Sequence, residues 1–531
     1  MKPPATFGDV LSGGDMDLRT ILAIVIIGVI ILLTPLYQKW LYRKAPPKFE
    51  EKPPVGTAST DTGTVGLRPP PVVRHGEGVG RGILVETPLY IAELNTKGAI
   101  LQSWRLKKFS DARGRPLELL RGRSGPGLVL DGVNLDSVEF SYGGEDTVEV
   151  VEGEREVVMK VACGNITVAK HFVFRSDGYT LGFKVMVYGA QGPLRGRLSW
   201  TRGIAVTEPN IKEDLNYTKI YVFMGGELEG YEVGKGKSLS KGMEGMLSWV
   251  GVRNKYFLIA FVPSGGQVIE VGVEGDWSHP DERLYTFQLK EMGSSPMFEG
   301  MWYLGPLQYD RVKALGVGLE RVMNLGWWWI RPIGKLILKT LIWLHKLIPN
   351  YGLVIVLFSI LVKVAVYPLT YKSYVASVKM QALQPKIAAL RQKYKNDPQR
   401  LNRETMKLYK EHGVNPMGGC LPLLLQMPIL IALFTVFRNT IEFRRARFVL
   451  WLKDLSAPDP YYVLPVLMGV TTFFQQRFYP KQQSSMIYVM PAVMVFLFAK
   501  FPSGLVLYYT MFNILSIAQQ IYMMRRGKLS V

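Results

Sequence analysis

Five long apolar segments lie close together in the C-terminal part of the chain and constrain its fold more than any other feature. An α-helix needs about 20 apolar residues to cross the hydrocarbon core of a bilayer. We therefore predict five core transmembrane helices, at residues 350–370, 417–437, 461–479, 486–502 and 503–524. The run ILAIVIIGVIILLTPLY predicts a further N-terminal transmembrane helix at 21–38. A cleaved signal peptide is the alternative for that run, but no small-residue cleavage site follows it.

The composition agrees with a membrane protein of several domains. The chain has 531 residues, of which 48% are hydrophobic, and a formal net charge of +21. It is too long for one domain and too apolar for an ordinary soluble protein. The positive charge fits a membrane protein with basic loops, or a protein that meets anionic lipid or RNA.

Residues 81–325 follow a different pattern, because apolar and polar residues alternate in strings such as TVEVVEG and TVAKHFVF. This period of two, broken by Gly, Asp and Asn turns, predicts a large antiparallel β-sandwich domain. A Pro- and Gly-rich linker at 39–80 precedes it. Residues 326–349, which follow it, predict an interfacial amphipathic helix rich in Trp, Leu and Lys. The lysines spread along that segment make a further span the weaker alternative.

The segment at 371–416, between the first two core helices, is strongly basic. From Lys372 to His412 it has ten Lys or Arg and three Asp or Glu. Two apolar stripes on either side of a KNDP turn predict a helical hairpin. The stripes are Leu383, Ile387 and Leu390, and then Leu401, Leu408 and Tyr409.

The basic hairpin predicts the topology, because positive loops stay in the cytoplasm. Both termini, 1–20 and 525–531, are then cytoplasmic, whereas the β-domain and the loop at 438–460 lie outside. The basic flank after the first span argues for the opposite orientation, but a long domain can cross largely regardless of local charge. The predicted fold class is a multidomain membrane protein: an α-helical bundle of five core transmembrane helices with an N-terminal anchor, a large extracytoplasmic antiparallel β-sandwich and a cytoplasmic helical hairpin.

Lys363 lies well inside the first core span. A charge at that depth costs about 2.5–3.5 kcal/mol. The five core spans contain no Asp or Glu, so a buried ion pair has no partner in them. Snorkelling is the alternative, but the cytoplasmic flank at Lys372 is roughly 13 Å away along a helix, which is long for a lysine side chain. We therefore interpret Lys363 as part of a hydrated groove.

Other polar residues interrupt the neighbouring spans and favour the same groove. Taken singly, each is more often a helix–helix hydrogen bond, whereas together with an unpaired lysine they suit a water-filled cavity. These residues are Gln426, Thr471, Thr472, Gln475, Asn513, Ser516 and Gln519.

Several strings make the chain resemble a known family, the YidC/Oxa/Alb membrane protein insertases. The resemblance covers roughly 327–520, and the β-rich domain after a first span is similar to the Gram-negative bacterial YidC type. It implies a multi-pass inner-membrane protein with its large domain in the periplasm. The strings are YPLTYKSYVASVKMQALQPK, DPQRLNRETMKLYKEHGVNPMGGCLPLLLQMPI, LWLKDLSAPDPYYVLPVLMGVT and FPSGLVLYY.

The resemblance also implies a site: a groove open to the cytoplasm and to lipid and closed towards the outside. In that groove the family has an arginine four residues after a hydroxyl residue and five before a proline. Here Ser359 and Pro368 keep their places, whereas Lys363 replaces the arginine. The resemblance further implies an apolar slide for the substrate, with candidate contacts at Met427, Pro428, Leu430, Tyr508 and Tyr509.

The implied function is that of a membrane protein insertase and chaperone. The groove would receive hydrophobic segments of nascent membrane proteins and release them laterally, alone or with the Sec translocon. The basic hairpin would contact the ribosome, the signal-recognition machinery or anionic lipids, although a solvated loop that only sets the topology is the alternative. The candidate docking residues are Lys386, Arg391, Lys393, Lys395, Arg400 and Arg403.

Other classes of protein fit the sequence less well. We expect no enzyme, metal or cofactor, because no nucleophile–base pair or metal-ligand spacing stands out. A transporter that uses Lys363 as a counterion would show an internal repeat, and none is evident. An envelope-binding protein that holds a glycan would not need five polar-interrupted spans as its anchor.

Overall fold

The computed structural model describes residues 80–111, 113–265, 268–413, 421–477 and 486–525. The predicted N-terminal span, almost all of the linker and most of the C-terminal tail lie outside the described residues. The described chain forms two compact units. One is β-rich and runs to Leu325, with Asn439–Glu442 added, and the other is helical and begins at Gly326.

The β-rich unit consists mainly of antiparallel strands. Its two short helices are α1 (Ile211–Tyr217) and α2 (Tyr309–Ala314). The strands are β1 (Gly82–Glu86), β2 (Tyr90–Asn95), β3 (Ile100–Ser110), β4 (Pro116–Glu118), β5 (Gly127–Leu130), β6 (Val133–Asn134), β7 (Thr147–Glu149), β8 (Glu154–Cys163), β9 (Ile166–Arg175), β10 (Thr180–Tyr188), β11 (Leu194–Trp200), β12 (Lys219–Met224), β13 (Glu227–Tyr231), β14 (Ser238–Arg253), β15 (Phe257–Pro263), β16 (Val268–Asp276), β17 (Leu284–Gly293) and β18 (Met297–Pro306).

These strands form two sheets. The smaller has the order β4-β3-β2-β1-β7, and the larger follows β6-β5-β11-β17-β16-β14-β15-β18-β10-β9-β8 with β12 and β13 beside β14. The two sheets pack on each other. For example, the ring centroid of Trp104 on β3 lies 6.5 Å from that of Phe174 on β9. Alternate residues of β9 point inward, as the period of two requires. The prediction of a β-rich domain is confirmed.

A cluster of aromatic rings forms the centre of the larger sheet's core. Trp302 on β18 is fully buried, and its ring centroid lies 4.7 Å from that of Trp200 and 4.9 Å from that of Phe261. Large buried aromatic side chains contribute most of the hydrophobic stabilisation of such a core, and tilted ring pairs add about 0.5–1.5 kcal/mol each.

The helical unit contains nine described α-helices, and they occupy the segments that were predicted as helical. Their bounds are α3 (Arg331–Leu347), α4 (Tyr351–Ala365), α5 (Tyr367–Ala382), α6 (Gln384–Lys393), α7 (Pro398–Glu411), α8 (Leu421–Asn439), α9 (Val463–Arg477), α10 (Met486–Phe498) and α11 (Ser503–Arg525). Helix α11 packs against both α4 and α9, and α10 packs against α9.

The first predicted core span differs from a single helix. Helix α4 ends at Ala365, and α5 continues after a bend of 60°. Pro368 explains the break, because in a continuous helix it has no N–H to donate to the carbonyl oxygen of Val364 and its ring would clash with that carbonyl group. Judged by length and hydropathy alone, no single described helix suffices to cross a membrane, whereas Tyr351–Ala365 and Tyr367–Met380 suffice when taken together.

Helix α3 has apolar side chains on two faces. Gly334, Ile337 and Leu341 are buried, whereas Leu336 and Trp343 are 67% and 58% exposed. An exposed apolar stripe beside basic residues is typical of a helix that lies in a membrane interface. The interfacial position remains a prediction.

The basic segment contains the C-terminal part of α5, followed by α6 and α7, which are joined by the turn at 394–397. Asp397 caps α7, since its carboxylate accepts a hydrogen bond of 3.0 Å from the backbone N–H of Arg400. Leu383 and Ile387 are buried, and the partly buried side chains of Met380, Leu408 and Tyr409 pack against them. Of the residues in the two predicted stripes, Leu390 and Leu401 do not join this cluster.

The N-terminus of α4 provides a test of packing in the helical unit. The side chain of Asn350 accepts hydrogen bonds from the backbone N–H groups of Gly352 and Leu353. A Cβ at Gly352 would overlap the ring of Phe448. We expect Gly352→Ala to lower the free energy of unfolding by about 1–3 kcal/mol, because the core there cannot take an added methyl group without shifting. Thermal unfolding in detergent, with Leu353→Ala at the half-exposed neighbour as control, measures this. Equal stability of the two variants would contradict it.

Candidate functional site

The candidate site is built around Lys363, which lies on α4 and is only 7% exposed. Its Nζ donates a hydrogen bond of 2.8 Å to Oγ of Ser516 and lies 4.6 Å from the ring centroid of Phe512. Oγ of Ser516 itself donates to the carbonyl oxygen of Phe512, so its lone pairs face the ammonium group. Lys363 forms no ion pair with any described residue.

Helix α11 positions both partners of this lysine. Phe512 and Ser516 are four residues apart, so they lie one above the other on the face of α11 that packs against α4. A ring and a hydroxyl stabilise an ammonium group far less than a carboxylate does. The site therefore holds a nearly buried cation whose charge is not neutralised by any described neighbour.

A second polar cluster lies between α11 and α9. The Nδ2 of Asn513 donates to Oγ1 of Thr472 at 2.9 Å and to Oγ1 of Thr471 at 3.4 Å. Both threonine hydroxyls donate in turn to the carbonyl oxygen of Met468. The structure therefore brings Asn513, Thr471 and Thr472 together in a helix–helix contact. This is the structural interpretation of such residues, as opposed to a role in lining a hydrated groove.

The remaining predicted groove residues have different surroundings. Ser359 is fully buried and donates to the carbonyl oxygen of Ile355, one turn back along α4. Gln519 is largely buried, and its Nε2 lies 3.4 Å from Oγ1 of Thr370. Gln426 and Gln475 are partly buried, and Nε2 of Gln426 has no hydrogen-bond partner among the described residues.

Sequence analysis missed one pair of residues near this site. Nε2 of Gln520 on α11 donates to the hydroxyl of Tyr374 on α5 at 3.1 Å, and both residues are buried. Oε1 of Gln520, like Oε1 of Gln519, has no partner in the described part of the chain. The spacing of Asn513, Ser516 and Gln520 along one side of α11 is the signal that could have identified Gln520.

The five candidate slide contacts differ in accessibility. Met427 is 52% exposed on α8, and Pro428 and Leu430 beside it are partly buried. Tyr508 is fully buried, with its ring between those of Phe358 and Phe512. A substrate could therefore touch Met427 directly, but it could reach Tyr508 only after neighbouring side chains move. Tyr509 is partly buried and packs on Phe498.

The six candidate docking residues of the hairpin are all exposed. Lys393 and Arg400 lie on the ring of Tyr394 at the turn, with distances of 5.5 Å and 5.4 Å to its centroid. None of the six forms an ion pair with a described residue, so their charges are available to an anionic partner.

Comparisons with known proteins match both units. A family model described as "60Kd inner membrane protein" matches residues 343–529, and one described as "YidC periplasmic domain" matches residues 82–340. Together they cover most of the chain, including the Lys363 site and the β-rich unit.

Curated relatives match over nearly the whole length. The membrane protein insertase YidC of Chlorobium phaeovibrioides is 34% identical over 96% of this chain and 95% of its own. That of Syntrophus aciditrophicus is 32% identical over 96% of this chain and 100% of its own, and that of Chlorobaculum parvum is 37% identical over 83% and 81%. The chain therefore belongs to the YidC family of inner-membrane protein insertases.

Proposed function

We propose that this insertase receives hydrophobic segments of nascent membrane proteins beside Lys363 and releases them laterally into the bilayer. The observation that carries the proposal is the nearly buried ammonium group of Lys363, for which the described residues supply only a hydroxyl and an aromatic ring. Such a charge attracts an acidic residue in the part of a substrate that crosses the membrane. The Coulomb attraction between two close unit charges is at most about 4 kcal/mol at an effective dielectric constant of 20.

Hydration would let this site accept polar groups. Nε2 of Gln426 and Oε1 of both Gln519 and Gln520 are buried groups without a described partner. Buried polar groups of this kind are normally satisfied by water or by a ligand. A hydrated recess within the membrane would shorten the apolar path that the polar tail of a substrate must cross. The role is one of binding and release, and no covalent step is required.

The same proposal includes the arrangement in the membrane. The core helices span the inner membrane, both termini and the basic hairpin lie in the cytoplasm, and the β-rich domain lies in the periplasm. The exposed Met427 would offer an apolar exit surface towards lipid. The insertase would act alone on small substrates and together with the Sec translocon on larger ones.

Crosslinking tests where the substrate lies. A photoreactive residue at Met427 should crosslink to the apolar segment of an arrested nascent chain in membranes that contain the full-length protein. One at the exposed Leu336 on α3 is the control and should not. Crosslinks at Leu336 alone would refute the proposed path.

The hairpin is proposed to contact the ribosome through its exposed cations. We expect Lys395→Gln to weaken ribosome binding severalfold. The slope of log affinity against log salt concentration should also fall in magnitude by about 1, because each phosphate contact releases about one counterion. Co-sedimentation with the protein in nanodiscs at several salt concentrations measures both. Lys237→Gln, at an exposed lysine of the β-rich domain, is the control. Unchanged affinity and salt dependence in Lys395→Gln would favour a solvated loop at this position.

A further inference from the structure

The β-rich domain contains a pocket that lies outside the Lys363 site. It has a volume of about 540 Å³ and lies between the β3–β4 hairpin and the segment at 205–207. Its charged lining residues are Arg105, Asp111, Arg115 and Glu118, and its apolar wall includes Leu117 and Val206.

Both carboxylates of the pocket are already engaged. Asp111 accepts two hydrogen bonds from the guanidinium group of Arg115, at 3.0 Å and 2.9 Å. Glu118 accepts from the backbone N–H groups of Trp104 and Leu120, at 2.8 Å and 2.9 Å, and from the hydroxyl of Ser103. Neither carboxylate therefore needs Arg105 as its counterion.

Arg105 is the exception among these four residues. It lies directly opposite Glu118 in the pairing of β3 with β4, yet the two side chains form no ion pair. Its Nε is buried and has no hydrogen-bond partner among the described residues. Leaving this buried Nε–H of a charged group unpaired is unfavourable, so an acceptor that a ligand brings into the pocket would stabilise the partly buried guanidinium group.

The chemistry of the pocket defines that acceptor. A guanidinium group presents parallel N–H donors that match the two oxygens of a carboxylate. Two cations and two carboxylates line the pocket, so a single negative charge is compatible with it, whereas a dianion would be repelled by Asp111 and Glu118. Leu117 and Val206 offer contact to an apolar group beside the bound charge.

We propose that this pocket binds a carboxylate that carries an adjacent apolar group, with Arg105 as its anchor. The carboxylate can come from a small apolar acid or from a polypeptide segment. The proposal is independent of the insertase activity, because the pocket and the Lys363 site belong to different units of the chain.

Calorimetric titration of the full-length protein in detergent tests this. N-acetyl-leucine should bind, whereas N-acetyl-leucinamide, which lacks the charge, should bind at least tenfold more weakly. Arg105→Gln should lose at least tenfold in affinity for the acid, and Arg105→Lys should fall between, because it keeps the charge but not the fork of donors. Arg113→Gln is the matched control at an exposed arginine outside the pocket, and it should bind as wild type does.

A further titration identifies the source of the bound carboxylate, and a melting temperature shows whether the variants at Arg105 fold. An N-acetylated Gly-Gly-Leu tripeptide that binds at least tenfold more tightly than N-acetyl-leucine would identify a polypeptide segment, and equal binding a small acid. The melting temperature of Arg105→Met should equal or exceed that of wild type, since the unpaired donor is removed. Equal binding of acid and amide, full binding by Arg105→Gln, or tighter binding of inorganic phosphate would each overturn the proposal.

Discussion

Lys363→Gln is expected to slow the insertion of a small single-span substrate with an acidic translocated tail by at least tenfold. The ammonium group is nearly buried, and among the described residues it contacts Oγ of Ser516 and the ring of Phe512. An attraction of even about 1.4 kcal/mol changes a rate or an affinity tenfold, and a close charge pair in a partly hydrated site exceeds that. Reconstituted proteoliposomes with protease protection of the tail measure the rate.

Matched variants separate charge from shape in this experiment. Lys363→Arg should insert the substrate nearly as well as wild type, because it keeps the charge and can still donate to Ser516. A substrate whose acidic tail residues are changed to Asn should respond little to Lys363→Gln. Lys453→Gln, at an exposed lysine between α8 and α9, is the control. If Lys363→Gln inserts the acidic substrate at the wild-type rate, the mechanism would depend on hydration and the apolar surface alone.

Much of the fold follows from local periodicity. The period of two predicted the β-rich domain, and the long apolar runs predicted where the helices of the second unit lie. The bend between α4 and α5 was missed because the hydropathy continues through it, although Pro368 marks it. The family was identified from strings of residues, and the curated relatives confirm that identification.

The direct contacts in the site could not be predicted in the same way, although Ser516 was among the predicted groove residues. Lys363 stood out because a charge is rare in an apolar run, but Ser516, its hydrogen-bond partner, lies 153 residues away. Only the packing of α11 on α4 makes them neighbours. Tyr508 is a candidate substrate contact through the family resemblance, and its burial in the structure is a feature that the sequence pattern does not specify. Tyr374 was missed because a tyrosine is counted as an apolar residue, and only the structure shows that its hydroxyl accepts a hydrogen bond from Gln520.

Lys170 in the β-rich domain could have been identified from the sequence. It occupies an inward position of β9, between Val168 and Phe172, and it is fully buried. Its Nζ donates to the carbonyl oxygens of Gly98 and Pro126 at 2.7 Å and lies 3.3 Å from that of Ala99. A single side chain therefore joins β9 to the β2–β3 turn and to the start of β5.

Lys170→Met is expected to destabilise the β-rich domain by about 3 kcal/mol or more at neutral pH. The substitution leaves two closely bonded carbonyl oxygens without their donor, and each buried acceptor left unsatisfied costs about 1–3 kcal/mol. Hydrogen exchange of the peptide at 96–102, measured in the full-length protein, reports this locally. Lys160→Met on β8, at an exposed position opposite Ala169, is the control and should exchange as wild type does.

The pH dependence of the same variant tests the state of the buried amine. Burial lowers the pKa of Lys170 from 10.5 to about 7, and nearby Asp136 opposes this shift. Between these two pH values the unfolded chain holds a proton that the folded domain has released, so the free energy of unfolding rises with pH by at most about 1.4 kcal/mol per unit. Methionine removes that contribution, so the stability lost in Lys170→Met should grow from pH 7 to pH 9 and stay constant below about pH 6. A loss that is flat or shrinking over pH 7 to 9 would mean that the three carbonyl oxygens keep the amine protonated in the folded domain.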